Sequence, residues 1–444
     1  MINELKTRNI LKLTWPTIVS QATVTAVGLV DLFFIGQISV AAIAAVSIAN
    51  SFITTLYYSL EGIKTGTAVL TANYSGAGEK NNISKTLKLG LIFAIIIGLF
   101  LAIFSPLISK SISIIFACSD ISQDYIEQFL AIILAGAPFT LTVFVISGFF
   151  MGLKNTFIPF VITFIIFLTN AGLDYLLISG KCGLPQMGVC GVATGSLIAY
   201  IIGSILAITF LLKHKLTKDF IKIKVKIKKL IKEYLRLFIE IGIYTGLLTL
   251  AVLVFIFMIK KLGARAIAVY EITHQVFLVS FLPPYGFQVA AAVIIGKFLG
   301  AKQKDLILPA TKKIMLLCFI IVFVITLLTY IFANNIAVFF NSTDPYVASL
   351  TTITIRLVCI EQMFSPISYV CRGALTGLKD TRFIAIAGFA TAYLFFLPLA
   401  YILSICMNYG VIGGWLAFII WAMLDSIVFF WRLFISKKWL KYNI

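Results

Sequence analysis

Two aspartates, Asp31 and Asp174, stand inside long apolar stretches of the chain, and Asn170 lies one helical turn before the second. An ionised carboxylate within a bilayer costs about 2.5 to 3.5 kcal/mol on insertion scales, so such a residue marks a functional site by default. Two carboxylates with an amide oxygen and a hydroxyl could bind an alkali cation. They could equally hold a proton, because close like charges favour protonation of one group. The alternative is a pair of structural acids bonded to neighbouring helices.

The elements that carry these residues are membrane spans. The chain of 444 residues is 61% hydrophobic and 12% charged, with mean hydropathy +1.05, whereas soluble domains carry about 25% charged residues. A helix needs about 20 apolar residues to cross the hydrocarbon, and twelve such runs lie between residues 12 and 435. Runs of this length exclude a barrel of short alternating strands. The sequence predicts an all-α integral membrane protein with twelve transmembrane helices, here numbered spans 1 to 12.

Three motifs recur at intervals of 222 to 225 residues. They are GFFMGLKNT at 148–156 and GALTGLKDT at 373–381, GAGEK at 76–80 and GAKQK at 300–304, and GVCG at 188–191 and GVIG at 410–413. Internal duplication in an apolar chain is typical of secondary transporters. Six spans per repeat make the two halves parallel, so we predict two parallel six-helix bundles.

The repeat suggests three segments and locates the chemistry in one of them. Residues 1–212 form the predicted N-terminal bundle, the cation-coupling lobe, residues 213–236 a basic cytoplasmic linker, and residues 237–444 the C-terminal bundle. Shifted by the repeat, Asp31 falls on Phe255 and Asp174 falls within residues 396–399, which are not ionisable. The paired acids are therefore expected only in the first bundle.

Basic residues occur in short blocks between the spans, which is typical of the positive-inside rule. The net charge of +19 follows from this pattern and does not indicate nucleic-acid binding. The linker holds ten Lys and Arg; the rule alone explains them, although contact with anionic lipid would also. We expect both termini to be cytoplasmic in a multi-pass protein of the inner (plasma) membrane. Lys260, Lys261 and Arg265 are an exception, since they would face outward.

Other charged residues inside the spans leave alternatives open. Glu271 and His274, one turn apart in span 8, could bind a cationic compound, relay a proton or simply satisfy each other. Glu61 and Lys64 have the i,i+3 spacing that predicts an internal ion pair. Asp425 in span 12 has no basic partner in its own turn, and we assign it no role.

Enzymatic constellations are missing from the sequence. The chain has two histidines and no H-E-x-x-H or G-x-S-x-G motif, and it has no phosphate-binding G-x-x-x-x-G-K-[ST] motif for an ATP-driven pump. Its seven cysteines form no C-x-x-C pair and are expected to be small apolar residues rather than disulfides or metal ligands. We predict that the protein is not an enzyme and needs no cofactor.

Several motifs together resemble the multidrug and toxic compound extrusion (MATE) family. They are Trp15-Pro16, Val30-Asp31 with Ile35-Gly36, residues 41–50 (AAIAAVSIAN), residues 170–175 (NAGLDY) with Gly188-Val189-x-Gly191, and the duplicated G-x-x-x-G-L-K-[ND]-T. The resemblance implies a twelve-helix exporter of two six-helix bundles. It also implies that inward flow of Na⁺ or H⁺ drives the export of amphipathic, often cationic, compounds.

The resemblance also implies particular site residues. It places the family's amino-terminal cation or proton site on Asp31, Asn170 and Asp174. Na⁺ is the only metal ion expected to bind there. The family's hydroxyl falls on Ser196, with Thr194 nearby. Part of the family has acids in the second bundle; here the corresponding position in span 10 is a serine, and Glu361 one turn earlier is the candidate substitute. With Glu271 and His274 it makes a possible polar site of the second lobe.

The combined hypothesis is a monomeric antiporter, coupled to H⁺ or Na⁺, that exports small organic compounds by alternating access and is surrounded by membrane lipid. Pro16 is expected to bend span 1 during the cycle and so to couple occupancy of Asp31 to the shape of the substrate cavity. The alternatives are a lipid-linked saccharide flippase or a dedicated metabolite exporter of the same superfamily. A flippase would be expected to line its cavity with more Arg and Lys and to need no paired acids.

Overall fold

The computed structural model describes residues 5–36, 38–116, 120–180, 183–217, 228–340 and 344–441. Within these ranges the chain is helical and contains no strand. The middle of the predicted linker, residues 218–227, and the cysteines Cys118 and Cys182 lie outside the described residues.

Seventeen α-helices follow one another along the described chain. They are α1 (Thr7–Ile35), α2 (Val40–Ala77), α3 (Lys80–Ile103), α4 (Ser105–Phe116), α5 (Asp120–Ala135), α6 (Ala137–Gly152), α7 (Phe157–Ser179), α8 (Val189–Lys213), α9 (Lys228–Lys260), α10 (Ala264–Gly300), α11 (Ile307–Ile331), α12 (Ala333–Phe340), α13 (Pro345–Gln362), α14 (Ser365–Gly377), α15 (Thr381–Phe389), α16 (Leu397–Tyr401) and α17 (Gly410–Phe430). Segments with π-helical hydrogen bonds extend α15, α16 and α17.

The prediction of twelve membrane spans is confirmed. Among the described residues ten helices are long and apolar enough to cross a bilayer, and the number is twelve when each of two bent pairs counts as one span. The pairs are α5 with α6, bent by 48°, and α13 with α14, bent by 43°. They form spans 4 and 10, which occupy equivalent places in the two repeats. Proline at the start of α6 and of α14 suits these breaks, because it begins a helix but cannot continue one.

The repeated G-x-x-x-G sequence lets two helices approach closely in each half. A Cβ atom added to Gly152 of α6 would lie 2.5 Å from the carbonyl oxygen of Ala68 in α2. One added to Gly377 of α14 would lie 2.5 Å from the carbonyl oxygen of Ala292 in α10. Small residues at such positions allow the close backbone contact that stabilises helix pairs in membranes. The sequence repeat thus encodes the same helix packing twice.

The lysine of the same motif ends the helix. Lys154 and Lys379 both have left-handed backbone conformations, with φ of 65° and 62°. Their N–H groups bond back to the carbonyls of Met151 and Thr376 at 2.8 and 3.0 Å. These bonds satisfy carbonyls that the end of a helix would otherwise leave without donors.

Close packing divides the chain into two compact units. One is Val19–Gly242, and the other is Ile243–Ile444 together with the start of the chain as far as Ile18. Consequently α1 and α9 each contribute one end to each unit. The sequence repeat, with its predicted division at residues 213–236, partitions the chain differently from this packing.

Two charged groups that the sequence singled out have partners. Lys64 Nζ lies 3.0 Å from Glu61 Oε1, which confirms the predicted ion pair within α2. Arg265, one of the three basic residues expected to face outward, donates from Nε to Asp344 Oδ2 at 3.0 Å. This pairing offsets part of the charge that the positive-inside pattern does not explain.

Candidate functional site

Helices α1 and α7 bring Asp31, Asn170 and Asp174 together in the unit Val19–Gly242. The three side chains are buried, with exposed fractions of 6%, 1% and 0%. The carboxyl group of Asp31 is within side-chain hydrogen-bonding reach of both Asp174 and Asn170. Asn170 and Asp174 share a face of α7 because they are four residues apart. Two carboxyl groups this close share a hydrogen bond when one of them carries a proton.

A third helix, α8, contributes the hydroxyl. Asn170 donates from Nδ2 to Ser196 Oγ over 3.0 Å, and both side chains are buried. Thr194 lies on the same helix but about 200° around its axis from Ser196, and it is only half-buried. The geometry therefore joins Ser196, and not Thr194, to the other predicted residues.

Four oxygen atoms of this cluster accept no hydrogen bond within the described part of the chain. They are Asp31 Oδ1, Asn170 Oδ1 and both Asp174 carboxylate oxygens. Buried polar atoms are normally paired, since an unpaired one loses its interactions with water without replacement. Such oxygens can be satisfied by a small hard cation or by protons. A transition-metal site is a poorer fit, because among the described residues no three His, Cys, Asp or Glu side chains lie close enough together to hold a metal ion.

Gly195 makes room for one of these carboxylates. A Cβ atom added to Gly195 would lie 2.6 Å from Asp174 Oδ1 and 3.3 Å from the Leu173 side chain. Any larger residue would therefore displace the carboxylate. In the sequence, the only signal for Gly195 is its position directly before Ser196.

Tyr200 is a second residue near the site that has no motif of its own in the sequence. It lies one turn after Ser196 on α8 and interacts electrostatically with both Asp31 and Lys64. The phenol thus lies close enough to interact with both the acid cluster and the Glu61–Lys64 ion pair of α2. The i,i+4 spacing from Ser196 is the signal that could have indicated it.

The residues proposed for the second lobe lie in different environments. Glu271 is exposed, and His274 is half-buried, with its ring stacked on Tyr270 and Phe277 at centroid distances of 5.4 and 6.1 Å. No hydrogen bond joins Glu271 to His274 in the described part of the chain. Glu361 at the end of α13 is buried, and its Oε2 accepts no hydrogen bond from a described residue. The structure does not bring these three side chains into one hydrogen-bonded cluster.

Known proteins are similar to this chain over most of its length. The MatE family model matches residues 16–176 and again 241–402. A probable multidrug resistance protein NorM from Thermotoga maritima is 25% identical over 441 residues, which cover 98% of this chain and 93% of that protein. The multidrug resistance protein MdtK from Yersinia enterocolitica is 27% identical, over 94% of this chain and 92% of its own. The family model matches once in each half, as the internal repeat requires.

Solved structures share the fold across nearly the whole chain. A MATE P26A mutant superposes with a TM-score of 0.89 at 18% identity and covers 98% of this chain and 96% of its own. A MOP superfamily transporter from Pyrococcus furiosus, described as having a binding pocket of reverse polarity that suggests a different function, has a TM-score of 0.87 at 17% identity, with 98% and 96% coverage. At these identities the likeness concerns the fold.

Proposed function

The chain belongs to the MatE family, and on that premise we propose that it is a multidrug exporter coupled to H⁺ or Na⁺. Its substrates are amphipathic, often cationic, organic compounds, and it works by alternating access in the inner membrane. The family membership makes it a transporter rather than an enzyme. The relatives named above are multidrug resistance proteins, which supports drugs as the substrate class.

One observation carries the ion coupling: the four buried oxygens of Asp31, Asn170 and Asp174 that accept no hydrogen bond from a described residue. A pair of purely structural acids would be expected to accept hydrogen bonds from neighbouring helices. Three of the four carboxylate oxygens of this pair, Asp31 Oδ1 and both oxygens of Asp174, accept none from the described residues. An ionised pair at this depth would be costly unless a cation or a proton compensated it. Uptake and release of that charge is the step that coupling requires.

The transport cycle follows from thermodynamic linkage. In the outward-facing state the cation or proton binds at Asp31 and Asp174 and lowers the affinity for the drug, which leaves. Return to the inward-facing state releases the cation to the cytoplasm. Because linkage is reciprocal, the drug must lower the affinity for the cation by the same factor. We propose that the protein does this as a monomer, with both termini cytoplasmic and lipid around it.

Ethidium efflux from proteoliposomes tests this function. We expect wild-type protein to export ethidium when an inward Na⁺ or H⁺ gradient is imposed, and to stop when that gradient is dissipated. Vesicles without protein and vesicles with the gradient reversed are the controls. Failure under every gradient would refute drug–cation antiport, and would favour a dedicated metabolite exporter or a lipid-linked saccharide flippase on the same fold.

Pro16 is predicted to matter for the conformational step. Helix α1 passes unbroken through Pro16, and the packing units change two residues later, after Ile18. Proline has no N–H, so the Lys12 carbonyl one turn earlier lacks its helical donor and the helix can bend there. We expect Pro16→Ala to slow ethidium efflux several-fold while cation-dependent thermal stability stays at the wild-type level.

A proline in the first turn of a helix provides the matched control. Pro309 lies at the third position of α11, where its missing N–H would have no partner within the helix. Pro309→Ala should therefore transport normally. Wild-type turnover by Pro16→Ala would show that bending at this position plays no part in the cycle.

A further inference from the structure

The core of the unit that contains Ile243–Ile444 holds a buried guanidinium group. Arg372 of α14 is 4% exposed, and its Nη1 donates to the hydroxyl of Tyr244. The guanidinium carbon lies 4.1 Å from the ring centroid of Tyr369 and 5.8 Å from that of Phe429. Its Nε donates to no described residue. Aromatic rings and one hydroxyl thus surround this positive charge.

Asp425 of α17 supplies the balancing negative charge. Its side chain is buried, and Thr391 donates from Oγ1 to Asp425 Oδ1 over 2.7 Å. Phe429, whose ring centroid lies 5.8 Å from the Arg372 guanidinium carbon, follows Asp425 by one turn of α17. Arg372 therefore lies near Asp425 and interacts with it electrostatically, without a direct ion pair in the described part of the chain. The remaining titratable neighbours are Tyr244, Tyr369 and, through its interaction with Tyr369, Glu361. The sequence showed no partner for Asp425 because Arg372 lies 53 residues earlier on another helix.

The repeat shows that this pair belongs to one half only. Shifted back by 225 residues, Arg372 falls on Ser147, and Asp425 falls on Tyr200 or, at the shorter intervals, within 201–203. The first half has Asp31 and Asp174 instead, for which the second half has no counterpart. Among the described residues the two halves bury carboxylates differently. No basic side chain is bonded to Asp31 or Asp174, whereas in the second half Arg432 donates to Asp380 over 2.7 Å and Arg372 lies near Asp425.

We propose that Arg372 is a tethered counter-ion for Asp425 and takes the place that an exchangeable cation or proton takes at Asp31 and Asp174. A buried carboxylate needs a compensating charge, and here that charge is covalently part of the chain. Asp425 is then a latent cation or proton site that Arg372 keeps closed, so this carboxylate contributes no coupling ion. The comparison with the first half rests on the proposed function, but the closed site at Asp425 does not.

Substitution of Arg372 should open the latent site. The experiment uses full-length protein carrying Asp31→Asn, which removes the exchangeable site of the first half, and measures thermal unfolding at 0 and 150 mM Na⁺ and across pH. We expect no Na⁺ dependence in Asp31→Asn alone. Adding Arg372→Gln should produce a rise in Tm on the order of 5 °C with Na⁺ or with acidification. A further Asp425→Asn should abolish that rise, whereas Glu361→Gln should leave it.

The controls separate charge balance from packing. Arg372→Lys keeps the positive charge and should gain no Na⁺ or pH dependence. If Arg372→Gln alone fails to fold, Arg372→Gln with Asp425→Asn should restore folding, because it removes both charges. Failure of that double variant, or an Arg372→Gln protein whose Tm is insensitive to Na⁺ and pH, would overturn the proposal and make Arg372 a packing residue. The quantity measured is thermal stability, so the outcome of this experiment does not depend on whether the protein exports ethidium.

Discussion

Asp31→Asn and Asp174→Asn, each made alone, are expected to reduce gradient-driven ethidium efflux at least about tenfold, to the level of vesicles without protein. Loss of even an outer neighbour of a metal ligand costs about 10- to 100-fold in affinity, and these carboxylates are the direct ligands in the proposed site. The asparagine amide is nearly isosteric but cannot bear the negative charge that attracts a cation or holds a proton. Both side chains are buried in one cluster.

The double variant distinguishes a shared site from two separate acids. Because the proposed site uses Asp31 and Asp174 as one unit, each single substitution should cost about as much efflux activity as both together. Asp305→Asn makes the same chemical change at an exposed position and should leave efflux unchanged. Full activity in either single variant, with expression equal to wild type, would show that the buried pair is structural.

Gly195→Ala is expected to have the second-largest effect, although it changes no polar group. The new methyl would lie 2.6 Å from Asp174 Oδ1, and real Cβ atoms do not come this close to an oxygen, so the carboxylate must move. Sites of this kind tolerate displacements of only about 0.5 Å. We expect the affinity for the coupling cation, measured by cation-dependent thermal stability, to fall by about 10- to 100-fold, with a matching loss of efflux.

The same substitution at an exposed glycine of α7 is the control for Gly195. At Gly172, two residues before Asp174 on α7, an added Cβ meets nothing within 4 Å, so Gly172→Ala should leave both efflux and cation affinity at wild-type levels. Alanine favours a helix over glycine by about 1 kcal/mol, so neither variant should be poorly folded for helical reasons. Equal cation affinity in the two variants would mean that Gly195 does not position Asp174.

The sequence alone determined the membrane architecture and its duplication. Both depend on properties that are local along the chain: continuous apolar runs long enough to span a bilayer, and short motifs that end one helix and pack it on the same neighbour in each half. Asp31, Asn170 and Asp174 could be selected for the same reason. A charge in an apolar run is visible without knowing what it contacts.

The tertiary structure alone decided which side chains meet. Rotation of α8 brings Ser196 rather than Thr194 to Asn170, and it places Gly195 against the Asp174 carboxylate. Packing of α14 near α17 brings Arg372 close enough to interact electrostatically with Asp425, for which the sequence offered no partner. Hydropathy does not encode these contacts, because they depend on the rotation of each helix about its axis and on how closely neighbouring helices pack.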